Sequence, residues 1–344
     1  ADEGLARKTD MVFSSTFGPT GALGVVIAAN YENENTTSIG HMATDNIFYN
    51  YYNANGANAN NPATGGPNTG NGIPVPQQFK YWQFLKNFER KGVDAKVEAR
   101  FSPDLYGFIS LGYNNETTRQ VRNETFIDDS RSTGTNPVSN QTPTSGHFAL
   151  GEAEAGNMIS KLDRTVQSAQ GGLDWKLSDD QVLSFRSSLS EARHREPRQM
   201  AKYIFARFRY NAAGTAPTLS GTPGLAMNYD TSGSEPSVSV NPSNFDNLNN
   251  WQAYYWRNET IAIDDRVGDV KLDFRQNMDA DARGLGYAVG IDYRRLGHSY
   301  TDNFNQYNPN AAGMTLAGAG YLSGTIMPYS NGLPFIIVDP ARAW

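Results

Sequence analysis

The sequence predicts an all-β protein, an antiparallel transmembrane β-barrel with long extracellular loops and short periplasmic turns. Three observations predict it. Strands of alternating polarity come in pairs joined by tight turns at Gly18-Pro19-Thr20-Gly21, Ser102-Pro103-Asp104, Leu177-Ser178-Asp179-Asp180 and Asn277-Met278-Asp279-Ala280-Asp281. The pairs are separated by long polar connections through roughly 36–80, 128–160, 205–252 and 303–344. Connections sorted by length in this way, short on one side and long on the other, are the mark of an outer-membrane barrel. The third observation is the length of each alternating run, about nine to eleven residues, which a tilted strand needs to cross a bilayer.

The elements follow from the alternation. Strand 1 carries Met11, Phe13 and Phe17, and strand 2 carries Leu23, Val25, Ile27, Ala29 and Tyr31 on one face. Strand 3 sets Val93, Ala95, Val97, Ala99 and Phe101 against Asp94, Lys96, Glu98 and Arg100. Strand 4 opposes Ile109, Leu111 and Tyr113 to Ser110, Gly112 and Asn114. Strands 5 and 6 present Leu173, Trp175 and Leu177, then Leu183, Phe185 and Leu189, against Asp174, Lys176, Ser184 and Arg186. Strand 7 has Val270, Leu272 and Phe274 against Asp269, Lys271 and Asp273; strand 8 has Leu285 to Tyr293 against Asp292 and Arg294. Alternation alone also fits a two-layer β protein with one wet face, but connection length and strand length favour the barrel.

Composition agrees. Mean hydropathy is -0.56, since barrel strands meet lipid only at every second residue. Aromatics make up 12% of the chain, with 18 Tyr, as interfacial girdles require. There is no Cys, which excludes a disulfide framework and a thiolate metal site. A net charge of -6 argues against nucleic acid as a partner. Nine Asn between positions 41 and 72 leave that connection too polar to fold by itself.

No catalytic constellation emerges, so no enzyme activity, cofactor or metal is expected. His41, His147, His194 and His298 lack ligand spacing, and neither a P-loop nor a nucleophile elbow is present. The charged rows Asp94, Lys96, Glu98, Arg100, Asp174, Lys176, Arg186, Asp269, Lys271, Asp273, Asp292 and Arg294 are expected to face a wet lumen. Their mixed sign suits cross-strand pairing better than an ion filter. Tyr51, Tyr52, Trp82, Trp251, Tyr254, Tyr255 and Trp256 are expected at the extracellular ends and loops, where aromatic faces beside amides suit a sugar. Aromatic girdles and loop packing are the alternative use of the same rings. Arg193 and Arg195 continue the row of Leu183, Phe185 and Leu189, and become candidates for lipopolysaccharide phosphates if parity survives to Pro197.

Three segments carry a family resemblance: Phe88 to Asp104, Gln170 to Asp180, and Gly290 to Arg294. They resemble strand–turn signatures of TonB-dependent outer-membrane receptors, of the large Caulobacter and Xanthomonas type. The resemblance implies a barrel of about 22 strands around a plug domain. It also implies a bacterial outer-membrane location and active uptake of an oligosaccharide, iron chelate or cobalamin, energised through TonB. On that reading, residues 1–344 form part of one barrel, with plug and further strands supplied from outside this sequence. A passive porin-like barrel, or a structural and adhesive one, is the other functional class. A closed eight-stranded barrel would require a last strand that returns to strand 1, and Pro340 and Arg342 disfavour one there.

Overall fold

The computed structural model describes residues 6–42, 49–53, 56, 72–76, 78–128, 138–205, 208–210, 217–219, 225–234, 236–277, 284–308, 315–319, 322–328 and 334–338. Eight long strands run in sequence order across one antiparallel sheet. They are β1 (Arg7–Phe17), β2 (Leu23–Met42), β3 (Gln78–Ser102), β4 (Leu105–Asp128), β5 (Ser145–Ser178), β6 (Gln181–Phe205), β7 (Trp251–Gln276) and β8 (Tyr287–Tyr307). These are the eight strands read from alternation. The sheet stays open, however: β1 lies at one edge and β8 at the other, and they do not pair. An eight-stranded closed barrel is therefore not the fold.

Two expectations of length are corrected. Strands β2 to β8 run 20 to 34 residues, not nine to eleven, because the polar segments beyond the alternating runs stay in register. The connection expected through 128–160 is already strand from Ser145 onward. Thr117 Oγ1 donates to Asp163 and Asn115 Nδ2 to Thr165 across β4 and β5, so the ladder continues where apolar periodicity has ended.

The first three hairpin ends are stepped, whereas β7 ends at Gln276, level with Gln181. Leu23 opposes Ala99, but the β3–β4 hairpin closes three residues farther, at Ser102 and Leu105. Leu105 opposes Trp175, and the next hairpin closes three residues beyond, at Ser178 and Gln181. A stagger accumulated in one direction is what tilted, barrel-type strands require. The first turn is built on Gly18 and Gly21, both at positive φ (79° and 68°), where any side chain would be strained. The last turn falls mostly outside the described residues, as do the Asn-rich connection and the Pro340–Arg342 segment. After β8 a short hairpin, Leu322–Pro328 with Pro334–Val338, forms a two-stranded sheet of its own, and Pro334–Val338 lies against β4 and β5.

Among the described residues, the hydrophobic core lies at the end of the sheet remote from the tight turns. The start of β5 leaves the main ladder and pairs with Leu225–Asp230, which pairs with Ser237–Val240. Phe148 fills this layer, 5.4 Å from the Tyr52 ring and 5.7 Å from that of Tyr229. The sheet contributes Phe79, Tyr81, Ile127, Ala153, Tyr203 and Phe205 from beneath.

Candidate functional site

The register divides the sheet into two chemically distinct faces. One lateral row reads Val25, Val97, Ile109, Gly171, Ser187, Val270, Tyr293. The neighbouring row, on the opposite face, reads Val26, Lys96, Ser110, Gln170, Ser188, Asp269, Arg294. The apolar side chains of the first face are open to the surroundings: Val97 is 44% exposed, Ile109 61% and Ile291 69%. A face of this composition has no partner within the described chain. The loop core rests on the same face, farther from the turns, since Phe79, Tyr203 and Phe205 continue its rows.

All twelve charged residues read from the sequence share the other face. Arg186 grips Asp174 with two bonds of 2.8 and 2.7 Å, and Ser184 Oγ donates to the same carboxylate. Lys96 lies 2.7 Å from Glu98, which also accepts from the Tyr106 hydroxyl. The Lys96 ammonium and the Arg186 guanidinium both lie against the Phe108 ring, at 5.5 and 5.6 Å. Lys271 pairs with Asp273, and Arg294 with Asp269. Lys176 turns to Asp179 in the tight turn and holds that exposed carboxyl below the usual carboxylate range. Among the described residues, Asp94, Arg100 and Asp292 form no ion pair, although they sit on the same face.

The network continues well past the residues the sequence singled out. Glu116 accepts from Arg90 and Arg164, on strands to either side. Glu259, only 6% exposed, takes Arg257 at 2.7 Å and Arg198 at 3.3 Å. Nearest the loops, Lys202 pairs with Glu154 at 2.9 Å. The Phe126 ring lies between the ammonium groups of Lys80 and Lys202, at 4.6 and 4.9 Å. These residues lie at the parity of Lys96, but the parity could not be extended from sequence beyond the apolar runs that define it.

The seven aromatics expected at the extracellular ends and loops take different surroundings. Tyr52 and Trp251 are 2% and 0% exposed, packed in the loop core, with the Trp251 indole N–H donating to the Phe245 carbonyl at 2.8 Å. They offer no ring face to a ligand, which corrects their assignment. Trp256 packs against the same core. A bulge between Ala253 and Tyr255 produces this arrangement, placing both Trp251 and Trp256 on the face of the apolar rows. Tyr255 stands on the charged face, 5.9 Å from Lys202, with Tyr254 in ring contact at 5.3 Å. Trp82 lies within β3 on the charged face, over Gly40, where an added Cβ would come within 2.6 Å of the ring. Tyr51 is half-buried in the short Tyr49–Tyr52 strand. Thus Trp82 and Tyr255 remain as partly exposed aromatic surfaces among ionic groups, while Phe126 is buried between its two lysines.

Arg193 and Arg195 keep the parity of Leu183, because β6 continues unbroken through Pro197 to Phe205. Pro197 has no N–H to donate, and the β5–β6 ladder is interrupted at that point, while pairing with Thr260 of β7 is kept. Arg193 is tied to Glu191 at 2.8 Å, and Arg195 holds Asp264 with two bonds of 2.7 and 3.0 Å.

No family model, curated protein or solved structure matches the chain.

Proposed function

We propose that the chain is a segment of a β-barrel of the bacterial outer membrane, and that the barrel imports a scarce nutrient with energy delivered through TonB. The observation that carries the membrane reading is the exposed apolar face, locked by register across seven long antiparallel strands, opposite a face of paired charges. In lipid the free edges of β1 and β8 would leave rows of backbone groups unbonded, at several kcal/mol each. Further strands joining those edges close the barrel and turn the charged face to a wet lumen.

The TonB-dependent part rests on the resemblance of Phe88 to Asp104, Gln170 to Asp180 and Gly290 to Arg294. An oligosaccharide is the cargo the chemistry favours. Trp82 and Tyr255 supply faces for sugar C–H groups, and Lys202 and Lys80 nearby supply partners for hydroxyls. A passive porin is the second reading, and mutual neutralisation along the wall weighs against it, because a filter keeps one sign. Uptake of labelled oligosaccharides by intact cells tests the proposal. Active import stops on removal of TonB or collapse of the proton-motive force, whereas uptake that persists unchanged assigns a passive pore.

A further inference from the structure

Where the apolar rows end on the outer face, β6, β7 and β8 present four arginines: Arg266 and Arg295 line a shallow groove of about 480 Å³, and Arg193 and Arg195 flank it through its lining carboxylates Glu191 and Asp264. Arg193 and Arg195 come from β6, Arg266 from β7 and Arg295 from β8. Immediately toward the turns lie Leu189, Val270, Leu272 and Ile291 of the apolar rows. The groove exists because two glycines face the two outer arginines: Gly268 opposes Arg295, and Gly297 opposes Arg266. No side chain fills the space beside either guanidinium stem.

The charges of this patch do not balance. Glu191 is shared by Arg193 at 2.8 Å and Arg266 at 3.2 Å, and Asp264 is held by Arg195. Asp265 and His298 also border the groove, but they pair with each other from the opposite face. Four guanidiniums therefore stand against two carboxylates, and Arg295 has no ion pair among the described residues. The two carboxylates hold three of the arginines in place, and forks remain open to solvent: Arg266 is 66% exposed and Arg193 58%.

We infer that this patch binds the phosphorylated disaccharide headgroup of lipopolysaccharide, with its acyl chains lying along the apolar rows below. The inference rests on the reading of that apolar face as lipid-facing. Arginine forks match phosphate oxygens two bonds at a time. The patch spans three strands, roughly 10 Å at the interstrand spacing, so a headgroup phosphorylated at both ends meets forks on β6 and on β8 together. The surplus of two positive charges is what such a headgroup neutralises. Of the two arginines expected from sequence, both are already committed to carboxylates; Arg266 and Arg295 complete the site.

The test uses the full-length protein extracted from outer membranes, with bound lipopolysaccharide counted by native mass spectrometry. The double variant Arg266→Gln/Arg295→Gln should lose at least tenfold of its bound lipopolysaccharide, while Glu191→Gln, which frees two forks, should retain more than the parent. Unchanged occupancy in the double variant, with heat-modifiable migration still reporting a folded barrel, would overturn the assignment. Should the double variant not assemble, the unaltered protein decides: vesicles containing bisphosphorylated lipid A should compete at least tenfold better than vesicles with the monophosphorylated form. Equal competition overturns the phosphate site, and failure of the unaltered protein to enter vesicles of either kind overturns the lipid-facing reading beneath it.

Discussion

Replacing Val97 by arginine separates a lipid face from a merely exposed one. Val97 is 44% exposed, between Val25 and Ile109 in its row, five residues from the strand end at Ser102. At about 3.3 Å rise and about 45° tilt, five residues lift it about 12 Å above the turn, near the middle of an apolar band about 25 Å tall. Arginine at that depth costs about 2–4 kcal/mol, roughly 30- to 700-fold in the folding equilibrium. In water the same substitution at an exposed strand position costs a few tenths of a kcal/mol. Two controls bracket the number. Thr37→Arg is on the same face but fourteen residues beyond Leu23, about 33 Å farther along the normal and outside the band, and should cost about 0–1 kcal/mol. Lys96→Ala, on the opposite face, loses an ion pair whose partners are 43% and 44% exposed, worth about 0–1 kcal/mol. Urea unfolding in lipid vesicles, read by heat-modifiable migration, measures all three. If Val97→Arg costs no more than the two controls, the apolar face does not meet lipid.

The remaining predictions concern topology, the loop core and the ion network. A cysteine placed at Ser232, in the exposed turn before Ser237–Val240, should label with an impermeant thiol reagent on intact cells, and one placed at Asp180 should label only after permeabilisation. Trp251→Ala removes a ring packed edge-on against Phe245 at 5.1 Å and costs the loop core about 3–5 kcal/mol, read as faster proteolysis between residues 225 and 250 with the long strands of the main sheet intact. Glu259→Gln leaves Arg257 and Arg198 without their shared carboxylate and should lower stability by about 1–3 kcal/mol, most of it recovered when Arg257 is changed to Gln as well.

Strand identity was legible because near the turns the positions of the two faces, apolar and charged, differ so sharply. Val93 to Phe101 against Asp94 to Arg100 admits one register only, since a slip of one residue would exchange the faces. Strand length was not legible. Beyond Tyr31, Val93 and Tyr113 both faces become polar, and Asn33, Asn35, Asn115 and Thr117 carry no period even though the ladder holds them. The burial of Trp251 was hidden for a different reason. Alternation from Phe274 runs correctly as far as Trp256, but the bulge at Ala253 and Tyr255 resets it, so Trp251 falls under the loop core. A bulge leaves no mark in the polarity of Trp251 to Trp256 from which it could be inferred. The role of Glu116, Glu259 and Glu154 as shared acceptors was hidden likewise, because each depends on arginines or lysines that register, not sequence distance, brings alongside.

Lipid-borne quenching of single tryptophans tests the central claim most directly. Trp175 stands 52% exposed in the apolar rows, and Trp82 is part of the charged face. In variants that keep one of the two as the single tryptophan, the other four of the five replaced by Phe, brominated acyl chains should quench Trp175 strongly and leave Trp82 bright, whereas acrylamide in the aqueous phase should do the reverse. Trp175 indifferent to brominated lipid, or Trp82 quenched by it as strongly, would contradict the assignment of the two faces.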